Sequence, residues 1–335
     1  MKIIHTDNND FDKCWGKGLL RISGTTPMYS PGVRRIDREL FSRELERDDS
    51  FIVISDSDEI VALVPLYCFK DISRISEYRY GREYLRSPLI YGSPFKKEYE
   101  KIQKYVFAYI EELAEKNKVK AHKAMIEGVE LLEGRHYYNY LTDFGYSDES
   151  SICQMIDTSK DIKELWADVR KSYKHLINRA EKNFVYETMS SDNYNFDKCE
   201  DYRKLHFMAA GRQTRSLESF KQMYKMVENG QAFIILAGEK DGRLDVAHFY
   251  YYLGNYCLYA SSAINPGLPA DSGAGHLAIW QGIVTVKRMG LRFLDMGQLR
   301  IDSNIAEKEK NIALFKKGFG GNTVTVFRGT KIFTN

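Results

Sequence analysis

Glycines divide the stretch from Gly273 to Phe327 into helix, strand, helix and strand, and this alternation limits the fold more than any other feature. A residue without Cβ takes positive φ at no steric cost, so it ends helices and turns chains. Leu277, Trp280, Ile283 and Val284 recur at the three-four spacing of one buried helix face, drifting round to Lys287 and Met289. Gly273-Ala274-Gly275 precedes that helix, where free N–H groups and the positive end of the helix dipole gather. Gly290 closes it. Leu291 to Met296 then alternates as a strand that stops at Gly297. A second short helix ends in Phe315-Lys316-Lys317-Gly318-Phe319-Gly320-Gly321, and the β-branched run Thr323-Val324-Thr325-Val326 follows as another strand.

The chain has 335 residues, enough for a large core and for two domains. Lys and Arg number 49 against 46 Asp and Glu, which leaves +3 and argues against a DNA-coating protein. The five cysteines, Cys14, Cys68, Cys153, Cys199 and Cys257, lie far apart without C-x-x-C spacing. A reducing cytoplasm is therefore expected, without a disulfide framework or zinc site. No H-x-x-x-H pair occurs, so no metal site is expected. Ile60 to Phe69 and Ala232 to Ala237 are apolar runs far shorter than the roughly 20 residues of a membrane helix, and Met1 to His5 lacks the apolar core of a signal peptide.

Taken in order, the pattern predicts a helix over Arg34 to Arg47 and a hairpin from Phe51–Ile54 to Ile60–Phe69, with Pro65 making the second strand an edge or a bulge. An aromatic loop, Tyr78 to Pro94, leads to a helix over Lys97 to Lys116 and a strand over Lys123 to Glu127. After the strand Ile152 to Ile156 the pattern repeats, with one long basic helix over Ile162 to Lys182 and a strand over Tyr186 to Met189. Helices over Phe196 to Ala210 and Leu217 to Glu228 come next. A meander of Ala232–Gly238, Leu244–Leu253 and Tyr256–Ala263 follows, with turns at Asp241-Gly242 and Gly254-Asn255. Two similar α/β domains are expected, 1–150 and 151–335, each a mixed, mostly antiparallel twisted sheet flanked by helices.

Several groups can carry chemistry, and each has a plainer reading beside it. Ala270-Asp271-Ser272-Gly273-Ala274-Gly275 is either an anion cradle built from backbone N–H groups or a helix start capped by Ser272 or Asp271. Lys316, before a glycine turn, is either aimed at a developing oxyanion or a solvated cap of a helix C-terminus. Asp295 ends a central strand, where active-site groups collect at a splay between strands, or is a buried cap. Arg212 and Arg215 offer guanidinium forks to a phosphate or carboxylate, or merely line an interhelix turn. Arg170, Lys171, Lys174, His175, Arg179 and Lys182 give a basic helix face that grips RNA or a diphosphate-linked sugar, or is a solvated face. Most of the tyrosines, Tyr250, Tyr251, Tyr252, Tyr256 and Tyr259 among them, pack strands, and a minority line a groove.

Leu165-Trp166-x-x-Val169-Arg170-Lys171, continuing to Ile177-x-Arg179-Ala180, resembles the opening of the second domain in the FemAB-like branch of the GNAT acyltransferase superfamily. Ala278-x-Trp280-x-x-Ile283, Gly290-x-x-x-x-Asp295-x-Gly297 and Phe315-Lys316-x-x-Phe319-Gly320-Gly321 are similar to that family as well. Thr26 to Pro31 and Ser87 to Pro94 resemble its early segments more loosely. The resemblance implies tandem GNAT-like domains, with the last strand returning to the first, and N-acyl transfer to an amine. It places Phe315 and Lys316 beside the reacting carbonyl, and Arg215 and Tyr91 near substrate-binding positions. GNAT enzymes hold the coenzyme A pyrophosphate with R/Q-x-x-G-x-G/A, and here Ala270 stands in place of the Arg or Gln.

The resulting expectation is an N-acyltransferase acting on an amine-bearing sugar or peptide precursor of the cell envelope or a surface glycan. Its catalytic residues are Lys316, Phe315 and Asp295, its acceptor is met by Tyr91, Arg212, Arg215 and Tyr259, and its donor by Gly273, Gly275, Arg170 and Lys171. The donor, an acyl-CoA or an aminoacyl-tRNA, is a co-substrate rather than a tightly bound cofactor. The alternatives are an aminoacyl-tRNA-dependent transferase of peptidoglycan type and a non-catalytic glycan- or partner-binding scaffold. The expected location is the cytoplasm, including the inner face of the membrane as a peripheral site, with no membrane span.

Overall fold

A computed structural model describes residues 1–21, 25–70, 73–240, 242–269, 271–300 and 305–334. Asp241, of the expected turn, and Ala270, of the expected cradle, lie outside the described residues. The chain forms two compact units, Met1–Ser151 with Thr325–Asn335, and Ile152–Val324. Among the described residues no helix is long and apolar enough to cross a membrane.

The first unit runs β1 (Lys2–His5), α1 (Phe11–Leu19), α2 (Pro31–Leu40), β2 (Leu45–Asp48), β3 (Phe51–Ile54), β4 (Ile60–Val64), β5 (Tyr67–Lys70), β6 (Ser76–Tyr78), β7 (Leu85–Arg86), β8 (Leu89–Ile90), α3 (Lys97–Lys116), β9 (Ala121–Ile126) and α4 (Gly128–Leu132). The helix expected over Arg34 to Arg47 begins and ends earlier than its periodicity implied. Ser30 Oγ accepts from the Val33 N–H at 3.2 Å, and Pro31 takes the first helical position. After Leu40 the chain turns into β2, whose Leu45 pairs with Phe69 of β5. Pro65 interrupts the second hairpin strand, so β4 pairs with β3 while β5 pairs with β2 and β6. One sheet has the order β1-β3-β4-β8. In the other, β9 pairs in parallel with both β6 and β7. Tyr99, Ile102, Val106, Phe107, Ile110 and Leu113 of α3 bury against Phe51, Phe69, Tyr78 and Ile126.

The second unit runs β10 (Ser151–Asp157), α5 (Ile162–Asp168), α6 (Lys171–Asn183), β11 (Phe184–Met189), α7 (Phe196–Ala210), α8 (Leu217–Glu228), β12 (Ala232–Glu239), β13 (Leu244–Leu253), β14 (Tyr256–Ile264), α9 (Ala274–Arg288), β15 (Phe293–Leu299) and α10 (Glu307–Lys317). The closing strand β16 (Asn322–Ile332) starts here and ends in the first unit, where it pairs antiparallel with β9. The sheet order is β11-β12-β13-β14-β15-β10, antiparallel except for the β14–β15 pair. Residues of α5, α6 and α9 share one core with Phe233, Ile235, Val246 and Tyr250, while on the opposite face Tyr202 of α7 stacks on Phe249 at 6.1 Å. This is a mixed, mostly antiparallel α/β sheet flanked by helices.

The single basic helix expected over Ile162 to Lys182 is two helices. Val169 takes an extended conformation, and the Arg170 N–H leaves the helical ladder to donate to Gly318 O at 2.8 Å. Asp161 and Glu164 form a capping box that starts α5, and Arg170 becomes the N-cap of α6. Arg170 and Lys171 are therefore exposed at a helix start, not on a continuous basic face.

Candidate functional site

The site grows from the place where β14 and β15 part. Their parallel ladder joins Tyr256 to Phe293, Cys257 to Leu294 and Leu258 to Asp295, and beyond it each strand keeps only its outer neighbour, β13 for β14 and β10 for β15. β14 carries an extra residue, Ala260, between the pairs Phe249–Ser261 and Tyr250–Tyr259. β15 carries one as well, since Cys153 and Met155 of β10 face Gln298 and Asp295. Bulges of this kind re-aim side chains at a strand end. In β15 the bulge includes Gly297, whose φ is +85°.

Two of the three predicted catalytic residues, Asp295 and Lys316, meet at that bulge. Asp295 is 5% exposed, and its carboxylate accepts from the Tyr256 hydroxyl at 2.5 Å and from the Gly297 N–H at 2.6 Å. The Lys316 ammonium donates to Gln298 O at 3.0 Å. A Cβ on Gly297 would stand 3.1 Å from that ammonium, so the glycine makes room for the lysine. Burial lowers the Lys316 pKa, and the nearby Asp295 and Cys153 work against that shift. Lys316 is thus neither a free solvated cation nor a simple cap of its own helix. Phe315 sits in an aromatic cluster with Tyr173, His276 and Phe319, its centroid 5.1 Å from both His276 and Phe319.

That cluster links the lysine to the glycine-rich helix start. His276 lies in the first turn of α9, and burial among these rings brings its pKa down to about 4. Gly273 is the N-cap, with φ of +78°, and its missing Cβ would lie 2.4 Å from Leu176 O of α6. Close packing therefore demands this glycine whether or not an anion binds. Gly275 approaches Ile264 at the end of β14. Neither side chain proposed as a cap replaces the glycine: Asp271 pairs with Arg179 at 3.2 Å, and Ser272 Oγ accepts from the Ala274 N–H at a long 3.4 Å. The Phe-Lys-Lys-Gly-Phe-Gly-Gly turn is equally constrained. Cβ atoms on Gly318, Gly320 and Gly321 would collide with Tyr173, Asp168 and Met155 O at 2.1, 2.6 and 2.3 Å.

The acceptor residues divide between the units. Arg215 donates to Ser261 Oγ at 3.4 Å, and that hydroxyl also accepts from the Tyr202 hydroxyl at 2.9 Å. Arg215 also lines a cavity of about 240 Å³ with Arg203, His206, Gln213, Thr214 and Phe220. Arg212 is exposed on the same interhelix turn. Tyr259 is half-buried on β14, 5.3 Å from the His248 ring and 5.4 Å from Tyr250, and burial raises its pKa. Tyr91 belongs to the first unit, where the Arg21 guanidinium lies 5.6 Å from its ring and burial raises its pKa.

Sequence reasoning missed two features. Tyr256 was grouped with strand-packing tyrosines, yet its hydroxyl holds Asp295. His248 is 1% exposed with neither ring nitrogen hydrogen-bonded, and burial takes its pKa down to about 3. Position in a meander strand gives no local sign of either feature.

No family profile matches the chain, and no curated protein matches it. Solved structures do. The crystal structure of FemX aligns with a TM-score of 0.66 and 12% identity, over 98% of this chain and 97% of that one. L-PGS from Bacillus licheniformis gives 0.55 and 13% over 91% and 92% of the two chains. A tandem GNAT protein from the clavulanic acid biosynthesis pathway gives 0.51 and 14% over 100% and 99%. At such identities the likeness is one of fold. With its parted parallel strands and a glycine-led helix between them, the chain shares the fold of FemX and of this tandem GNAT protein.

Proposed function

We propose that the protein is an N-acyltransferase that moves an acyl or aminoacyl group from an activated donor to an amine of a cell-envelope or surface-glycan precursor. The observation that carries this reading is the Lys316 ammonium, held by Gln298 O at 3.0 Å on the bulge where β14 and β15 part. A cation fixed at a strand splay can stabilise the oxyanion of a tetrahedral intermediate, worth about 10²- to 10³-fold in rate. The amine attacks the donor carbonyl, a C–N bond forms, and the C–O or C–S bond to the leaving group breaks. The amine proton passes to water or to a phosphate of the substrate. Alignment of donor and acceptor supplies much of the rest. The bare N-terminus of α9 would receive donor phosphates, with Gly273 and Gly275 admitting them, and Arg170 and Lys171 add positive charge at the start of α6. Arg215 and Tyr259 would meet the acceptor, joined by Arg212.

The donor is an acyl-CoA or an aminoacyl-tRNA, so the test presents both. The protein is incubated with panels of acyl-CoAs, charged tRNAs and amine-bearing envelope precursors, and product masses are read. The expected result is one acylated amine, lost in Lys316→Ala. Absence of product from every donor would reject the reading and favour a binding scaffold, while wild-type turnover by Lys316→Ala would reject the role given to the lysine.

A further inference from the structure

We infer that Tyr256 is a positioning residue: through Asp295 it braces the β15 bulge that presents a carbonyl to Lys316. This deepens the function proposed above and rests on it for its catalytic meaning, though not for its geometry. Three hydrogen bonds make the brace. The Tyr256 hydroxyl donates to Asp295 Oδ2 at 2.5 Å, the Gly297 N–H donates to Asp295 Oδ1 at 2.6 Å, and the Lys316 ammonium donates to Gln298 O at 3.0 Å. The carboxylate thus spans the two strands at the end of their shared ladder, where Leu258 pairs with Asp295.

Each member has a reason to be what it is. Gly297 needs positive φ, and any side chain there would press on the ammonium. An ionised carboxylate accepts both donors at once, while an amide offers one acceptor oxygen and sets an N–H group against the other donor. A carboxylate 5% exposed gains much from both bonds, since a buried charge is costly without partners. The ammonium faces Asp295 on β15 and Cys153 on β10, and both oppose the lowering of its pKa by burial, Asp295 the more strongly. The brace does two things. It fixes where the ammonium points, and it keeps that ammonium charged in surroundings that disfavour charge.

Three proteins test this: wild type, Tyr256→Phe, which keeps the ring, and Asp295→Asn, which keeps the shape. Lys316 reactivity towards an amine-reactive acylating reagent is followed by peptide mass across pH, with no donor or acceptor present. Loss of the Asp295 charge should move the Lys316 labelling midpoint down by about one pH unit, and Tyr256→Phe should move it the same way by less. With substrates, Tyr256→Phe should lower kcat about tenfold and leave KM for both substrates within about twofold. Labelling curves that coincide in all three proteins overturn the brace, as does a change in KM alone. Shifted curves in a protein that transfers nothing uphold the brace and reject the acyltransferase reading. Should Asp295→Asn fail to fold, Tyr256→Phe alone decides.

Discussion

Both units place a helix and then a strand after their central hairpins, α3 and β9 in the first, α9 and β15 in the second. The details are opposed. At the start of α3 stand Lys96 as N-cap and Glu98 and Glu100 in the first turn, so carboxylates already answer the helix dipole. At the start of α9 stand Gly273 and Gly275, with no acidic residue in the first turn. β9 is met in parallel by β6 and again by β7, and Arg86 of β7 pairs with Glu127 at 2.6 Å. β15 is met only briefly by β14, and a lysine lies over its bulge. One opening is filled by a strand and an ion pair and the other holds a buried lysine ammonium, which teaches that the same arrangement of helix and strand is closed in the first unit and carries a cation in the second.

The largest test of that contrast breaks the seal. Arg86→Ala leaves the Glu127 carboxylate buried without its cation, which should cost about 3 kcal/mol in a denaturant titration. A loss under about 1 kcal/mol would mean that the ion pair seals nothing. Lys316→Ala should act the other way, lowering turnover about 10²-fold while the unfolding midpoint barely moves. Loss of stability without loss of rate would make Lys316 a structural residue.

Acid sharpens the comparison further. The folded second unit holds His248 neutral, with its pKa down from 6.5 to about 3, so the unfolded chain alone takes up a proton as pH falls below 6.5. Stability from this group is full above 6.5 and is lost on the way down to about 3, which amounts to about 2 kcal/mol by pH 5. His248→Phe should flatten that part of the stability–pH curve. In the first unit Glu130, raised to about 6 by burial, runs the opposite way: its contribution is full below 4.5 and is lost as pH rises through 6. The smallest effect concerns the helix starts. Gly275→Glu should raise the half-saturating concentration of a phosphate-bearing donor about tenfold, and Glu98→Gln should leave it unchanged. Equal responses would erase the distinction between α3 and α9.

Local signals carried much of the fold. The helix limits Phe196–Ala210 and Leu217–Glu228 were legible because Asn195 and Ser216 cap them and Gly211 ends the first in a left-handed turn. The break at Val169 was not legible, because no Gly or Pro marks it and its cause, the bond from Arg170 to Gly318 O, lies far along the chain. The glycines of the 318–321 turn read as conformational, and Gly320 and Gly321 do take φ of +84° and +81°; what the sequence does not show is how tightly Gly318, Gly320 and Gly321 pack against Tyr173, Asp168 and Met155. Lys316 and Asp295 stand out in sequence, whereas the tie between them runs through the bulge at Gly297 and Gln298, which only strand register reveals.

The sharing of β16 has a consequence for biogenesis. Thr325–Asn335 completes the unit that begins at Met1, and Phe327 to Ile332 lie along β9. On the ribosome the leading half must therefore wait, with one side of β9 unzipped, until translation has passed through everything between. Chaperone dependence of the nascent chain should end only once the last strand emerges.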